Sequence, residues 1–257
     1  MEADGVVSRA PEISASVGAS GFAAKTAALA AKDFRVELRA RDTLPPMLAF
    51  VIAVTLLLAF SIPSTGSVER VIRIPTGAVA LADVLAGFLW VTVLFAGLIA
   101  FARTFEVERN DAAIDSLLLV PLDRSGLFIA KALANFAFIV LAEVLLIPMF
   151  LLLFGTQVGG SWPALILVVL LADFGFVAIG TLFAAISAQT RSRELLLPVL
   201  ALPALVPVFI AAVALTSDLF AGAGFDDVAA RGWFVLLGGF DVIFGVVGAL
   251  AFDLVVD

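Results

Sequence analysis

The sequence predicts an all-α polytopic membrane protein: six transmembrane helices preceded by an amphipathic interfacial helix. Three observations carry that prediction. The chain of 257 residues is 63% hydrophobic and 14% charged, with a mean hydropathy of +1.17. A water-soluble domain has roughly 45–50% apolar and about 25% charged residues, so this excess cannot fold into one aqueous core. The apolar residues gather into six long runs. Those runs show no alternation of period two, which argues against a strand barrel.

The elements follow in order. Residues 1–22 are rich in Ser, Ala, Gly and acids, with no basic start and no apolar run. They are not a secretory signal peptide and are expected to form a disordered tail. Over 23–42 Lys25, Lys32, Arg35, Glu37, Arg39 and Arg41 alternate with a stripe of Ala27, Ala30, Phe34 and Leu38 at helical spacing. That pattern predicts a basic amphipathic helix on the membrane surface. Pro45-Pro46 should end it and turn the chain inward. Residues 46–252 then form the permease domain. Its apolar stretches are roughly 46–62, 79–102, 126–154, 163–188, 195–217 and 232–252. At about 1.5 Å rise per residue, ~20 residues cross a ~30 Å hydrocarbon core. Pro198, Pro203 and Pro207 should loosen the fifth span. Gly238, Gly239, Gly245 and Gly248 should let the sixth approach a neighbour closely.

Charge sets the expected orientation. Twelve Lys and Arg fall on one side: Arg9, Lys25, Lys32, Arg35, Arg39, Arg41, Arg103, Arg109, Arg124, Lys131, Arg191 and Arg193. Only Arg70, Arg73 and Arg231 fall on the other. The positive-inside rule puts the first set, and both termini, in the cytoplasm, with the chain in the cell membrane. Twelve Arg against three Lys, a net charge of −7 and no Cys resemble the composition of halophilic archaeal proteins. The acidic balance suits solubility in salt and says nothing of mechanism.

Several chemistries are excluded. Without Cys or His the chain has no disulfide and no thiolate or imidazole metal site. It has little with which to ligate a haem iron. No Gly-x-x-x-x-Gly-Lys-[Ser/Thr] loop is present, so nucleotide is not bound in the P-loop manner. The chain is expected to hold no metal or cofactor of its own, to bind no nucleic acid, and to be no enzyme.

Between the second and third spans the sequence interrupts itself with "FEVERNDAAIDSLLLVPLDRSG", seven charges in twenty-two residues. Asn110 can cap a helix and Asp111 suits its first turn. Ile114, Leu117 and Leu118 share one face; Asp111 and Asp115 are i, i+4 neighbours on another. Pro121 stops it. A short amphipathic helix at about 110–120 results. It suits either a plain interfacial helix or a coupling helix seated on a separate ATPase.

Three segments resemble one family. Phe105–Lys131 is similar to the second cytoplasmic loop of CcmB, the haem exporter protein B family of cytochrome c biogenesis. Gly180–Ala212, "GTLFAAISAQTRSRELLLPVLALPALVPVFIAA", resembles that family's turn between the fourth and fifth spans, with Arg191, Arg193 and Glu194. "KDFRVELRARD" resembles its opening amphipathic helix. The likeness covers about 25–252. Ala112 stands where the family usually has Gly, and Asp115 where it usually has Glu.

The resemblance implies an ABC-2-like exporter permease, present as two copies with CcmA-type ATPase subunits that bind the ATP. CcmC-type and CcmD-type membrane proteins and a CcmE-type haem chaperone would join it. The complex would export haem or release the haem-loaded chaperone. ATPase docking would fall to Glu106, Glu108, Asp111, Ile114, Asp115, Leu117 and Leu118. An ABC-2 permease for a lipid or a drug is the alternative.

Glu143, Asp173 and Asp241 lie inside apolar spans. An acid at a bilayer centre costs roughly 2.5–3.5 kcal/mol on insertion scales, so each calls for a reason. A helix or subunit contact, an ion or proton relay, and an aspartyl hydrolase pair of Asp173 with Asp241 all remain open. "GGFD" (Gly238–Asp241) distantly resembles the Gly-x-Gly-Asp of intramembrane aspartyl proteases. Pro148 should free a backbone carbonyl near Glu143.

Overall fold

A computed structural model describes residues 17–62, 71–74, 77–104, 124–158, 161–188 and 193–255. The elements are α1 (Val17–Ala40), α2 (Leu44–Ser61), β1 (Val71–Ile74), β2 (Gly77–Ala80), α3 (Leu81–Arg103), α4 (Arg124–Phe154), α5 (Trp162–Ala188), α6 (Arg193–Phe220), α7 (Phe225–Ala230) and α8 (Trp233–Val255). Six of them, α2, α3, α4, α5, α6 and α8, are long and apolar enough to cross a membrane. The chain is a multi-pass helical membrane protein, as its hydropathy requires. Inside lipid every backbone polar group must be satisfied within its own segment, and a helix does that.

Three local features depart from the sequence reading. First, α1 starts at Val17, six residues inside the expected tail; Ala19, Ala23 and Ala24 favour helix enough to extend it. It ends at Ala40 because Arg41 takes a left-handed conformation, φ +60°, as helix C-termini often do. Second, the paired prolines do not close α1. They lie in the first turn of α2, where a missing N–H costs nothing. Third, β1 and β2 form an antiparallel hairpin, Val71 opposite Ala80 and Ile74 opposite Gly77. Val71, Ile72, Ile74 and Val79 are β-branched, which suits an extended backbone. The all-helical membrane body is unaffected.

The buried stripe of α1 also differs from the expected one. Thr26 and Ala30 are buried, and Phe34 stacks on Phe138 of α4 with centroids 5.2 Å apart. Ala27 and Leu38 are exposed. α1 thus packs along α4 while Val36 and Leu38 remain outward.

At the centre, α5 packs along α6 and α8, and α6 also packs along α3. Aromatic rings join these helices. Phe101 meets Phe176 edge-on at 5.0 Å, Phe176 meets Phe209 at 5.1 Å, and Phe209 meets Trp90 at 5.9 Å. Trp90 Nε1 donates to Thr216 Oγ1 at 2.9 Å, so the buried indole is satisfied. Gly180 lies under the Phe101 ring, where any Cβ would collide with it; small residues of this kind let membrane helices close. The three prolines of α6 do not break it, and the helix runs on to Phe220.

Candidate functional site

Chain alternation puts α1, the start of α2, the end of α3 and the start of α4 on one membrane face. The segment 105–123 leaves from α3 and returns to α4 on that face. Its expected coupling helix at 110–120, with Glu106, Glu108, Asp111, Ile114, Asp115, Leu117 and Leu118, lies outside the described residues. So does Arg191. Arg193 and Glu194 open α6.

The end of α3 and the first third of α4 are tied into the body by polar contacts. Thr104 Oγ1 donates to Asn135 Oδ1 at 3.0 Å. Asn135 Nδ2 donates to Thr181 Oγ1 at 3.0 Å. Asn135 and Thr181 are buried, so this chain runs from α3 through α4 to α5 in a low-dielectric setting where a satisfied network is stiff. Beside it, Lys131 Nζ is 3.0 Å from Asp33 Oδ2, with side chains only 6% and 13% exposed. The ion pair pins α1 to α4. Breaking it from one side would leave a charge uncompensated.

None of Asp33, Thr104, Asn135 or Thr181 was singled out from sequence, and Lys131 was counted only as a loop cation. The available clue was position. Lys131 and Asn135 interrupt an apolar run four residues apart, hence on one helix face.

The intramembrane acids separate into two sites. Glu143 of α4 is 2% exposed and Asp173 of α5 is fully buried. Their carboxyl groups are close neighbours across the α4–α5 contact. Among the described residues no hydrogen bond reaches any of their four carboxyl oxygens. The polar neighbour of Glu143 is Asp173, where the sequence suggested a carbonyl freed by Pro148; α4 continues through that proline to Phe154.

Asp241 of α8 goes elsewhere. Its Oδ1 lies against Gly175, close enough that a Cβ there would sit 2.6 Å away. Residues 173 and 175 are about 200° apart around a helix. Asp173 and Asp241 therefore meet different faces of α5 and do not form the convergent pair an aspartyl hydrolase needs.

The opposite membrane face is braced by shorter polar links. Ser217 Oγ donates to Asp83 Oδ1, joining the end of α6 to the start of α3. Arg231 pairs with Asp218 at 3.1 Å.

Comparison with known proteins fits this arrangement. Residues 24–257 match the family model described as CcmB protein. The chain belongs to the CcmB family. It is 31% identical over 184 residues to heme exporter protein B of Paracoccus denitrificans, covering 71% of this chain and 78% of that protein. It is 30% identical over 183 residues to heme exporter protein B of Rhodobacter capsulatus, with the same coverage. The Pseudomonas aeruginosa protein of that name is 33% identical over 124 residues, 48% of this chain and 55% of its own length. The CcmB match begins at residue 24, inside α1, so it takes in most of that helix with the six spans.

Proposed function

We propose that this chain is the permease subunit of an ATP-driven haem-export system for cytochrome c maturation. It carries no nucleotide loop, so ATP is bound and hydrolysed by a separate CcmA-type ATPase. Two permease copies work with CcmC-type and CcmD-type membrane proteins and a CcmE-type haem chaperone. Haem is cargo, either exported or released with its chaperone. The chain sits in the cell membrane with both termini and the 105–123 segment in the cytoplasm. CcmB membership carries this reading.

The ATPase docks on 105–123. What supports this is the amphipathic pattern of that segment together with its attachment. It springs from α3 beside Thr104 and enters α4, both tied to α5 by the Thr104–Asn135–Thr181 chain. A push on the segment is thereby delivered to two spans at once.

The apolar face should dominate docking. Ile114, Leu117 and Leu118 contribute about 1.5–3 kcal/mol each when fully buried. The acids Glu106, Glu108, Asp111 and Asp115 set orientation more than affinity, since exposed ion pairs are worth roughly 0–1 kcal/mol. The test is co-purification of the ATPase from native membranes at matched permease abundance. Ile114→Ser with Leu118→Ser should release it. Asp111→Asn with Asp115→Asn should release much less. Retention by the Ser pair overturns the docking assignment. Partners that handle lipid or drug in place of haem would overturn the cargo.

A further inference from the structure

We propose that Glu143 and Asp173 form a proton-binding site at the centre of the membrane, with one proton shared between the two carboxyl groups across the α4–α5 contact. The hairpin sets their level. Glu143 lies eleven residues before Phe154, where α4 ends, and Asp173 lies eleven residues after Trp162, where α5 begins. The two helices pack on each other as consecutive spans. Both acids therefore stand about 16 Å from the connecting loop, half-way through a ~30 Å hydrocarbon core.

The surroundings offer the pair nothing but each other. Their neighbours Ile139, Ala142, Leu146, Ala172 and Phe176 are buried and apolar. The gap beside Glu143, bounded by Val51 of α2 and by Val93 and Ala96 of α3, is too small for a water molecule. The buried hydroxyls of those two helices, Thr55 and Thr92, donate into their own backbones, to Val51 and Phe88. No charge of opposite sign stands at this depth among the described residues. α2 has no titratable side chain. Those of α3 and α6 lie near the helix ends: Asp83 and Arg103, Arg193, Glu194 and Asp218. Lys131 is twelve residues away along α4, about 18 Å, beside Asp33 of α1. α1 reaches α4 on the same side of Glu143, where Phe34 stacks on Phe138. Asp241 of α8 meets another face of α5, at Gly175.

Two carboxylates cannot both stay ionised in such a place, because each is desolvated and each opposes the other's charge. The first proton removes one buried charge and the repulsion together. A second would remove only the remaining charge. It would also replace a hydrogen bond to an ionised carboxyl by a weaker one between neutral groups. One proton per pair is the state that follows. That proton holds α4 to α5, and parting the helices requires the site to open to water and exchange it. The site stands whether or not an ATPase docks on 105–123, and the test uses the purified chain without partners.

Infrared spectroscopy of the full chain in lipid nanodiscs reads the proton directly, since the carbonyl stretch of a protonated carboxyl is separate from the bands of a carboxylate. At neutral pH, where exposed acids are ionised, the wild type should retain a protonated-carboxyl band that responds slowly to transfer into D2O. Glu143→Gln should abolish that band, because Asp173 then accepts from the amide and stays ionised. Asp173→Asn should abolish the same band by the mirror argument. Asp241→Asn should leave it in place. The wild-type spectrum decides even if a variant fails to fold: absence of any protonated-carboxyl band overturns the site, and carboxylate bands that move when sodium replaces potassium would make it a metal-ion site instead. A band that survives both single variants, or two different bands lost one to each, overturns the sharing.

Discussion

α5 and α8 are nearly alike in hydropathy, at 2.5 and 2.2, yet 67% of the apolar window of α5 is buried inside the protein and only 17% of that of α8. What separates them is residue size and polarity. The buried residues of α5 include Ala172, Asp173, Gly175, Ala178, Gly180, Thr181, Ala184 and Ser187. On α8, Val235, Val242, Val246 and Leu250 stay exposed. Lipid tails are as apolar as leucine, so hydrophobicity does not drive membrane helices together; close packing and polar contacts do. The small and polar positions mark the centre of this bundle, and the large aliphatic ones mark its rim.

The comparison can be broken most forcefully at the aromatic chain. Phe176 and Phe174 both belong to α5, but the first is 1% exposed and the second 53%. A Phe→Ala change in a water-soluble core costs about 3–5 kcal/mol. In a bilayer most of the transfer term vanishes, leaving mainly the cavity and lost ring contacts. Phe176→Ala should therefore cost about 2–3 kcal/mol of unfolding free energy, and Phe174→Ala less than about 0.5. Reversible unfolding in mixed micelles measures both. Equal losses would mean that α5 is not the central helix.

Glycine gives the second and smaller contrast. At Gly180 an added Cβ meets the Phe101 ring, while at Gly239 of α8 it meets nothing within 4 Å. Gly180→Ala should destabilise by about 1–3 kcal/mol through overpacking. Gly239→Ala should be neutral or stabilise by up to ~1 kcal/mol, because Gly is a poor helix residue. The same unfolding assay reads the sign. Stabilisation at Gly180 would show that the ring yields freely.

That pair also shows how far the sequence could be read. Six spans were legible because each element announces itself by its own length and hydropathy, and their observed bounds fall within three residues of the expected ones. The glycines of the sixth span were legible as small but not as used. Of the four, Gly248 lies tight against Phe128, whereas Gly238 and Gly239 face open space. Which glycine meets a ring depends on a partner far along the chain, and local pattern carries no such information. The same holds for the candidate sites. Glu143 and Asp173 were each visible as costly acids, but their pairing joins positions 30 residues apart. Asp33 looked like one more charge on an amphipathic helix until Lys131 was found opposite it. The stretch 105–123 was the most legible functional motif, and it falls outside the described residues.

The last contrast lies within the centre itself, between a polar contact that needs a carboxyl and one that needs only a hydrogen bond. Glu143 and Asp173 are buried and face each other between α4 and α5. If the pair is a structural clasp between α4 and α5, a group of similar shape with its own donor should replace Glu143. Glu143→Gln supplies an N–H that Asp173 can accept, so its cost should stay below about 1 kcal/mol, the scale of one net hydrogen bond. Glu143→Leu removes the polar neighbour of Asp173 and should cost about 1–3 kcal/mol, the penalty of an unsatisfied buried polar group. Both variants are compared by unfolding and by retention of the ATPase during purification. A Gln variant that assembles normally yet fails to support cytochrome c maturation would transfer the pair from the fold to the mechanism, because the only thing it lacks is a carboxyl that can take up and release a proton.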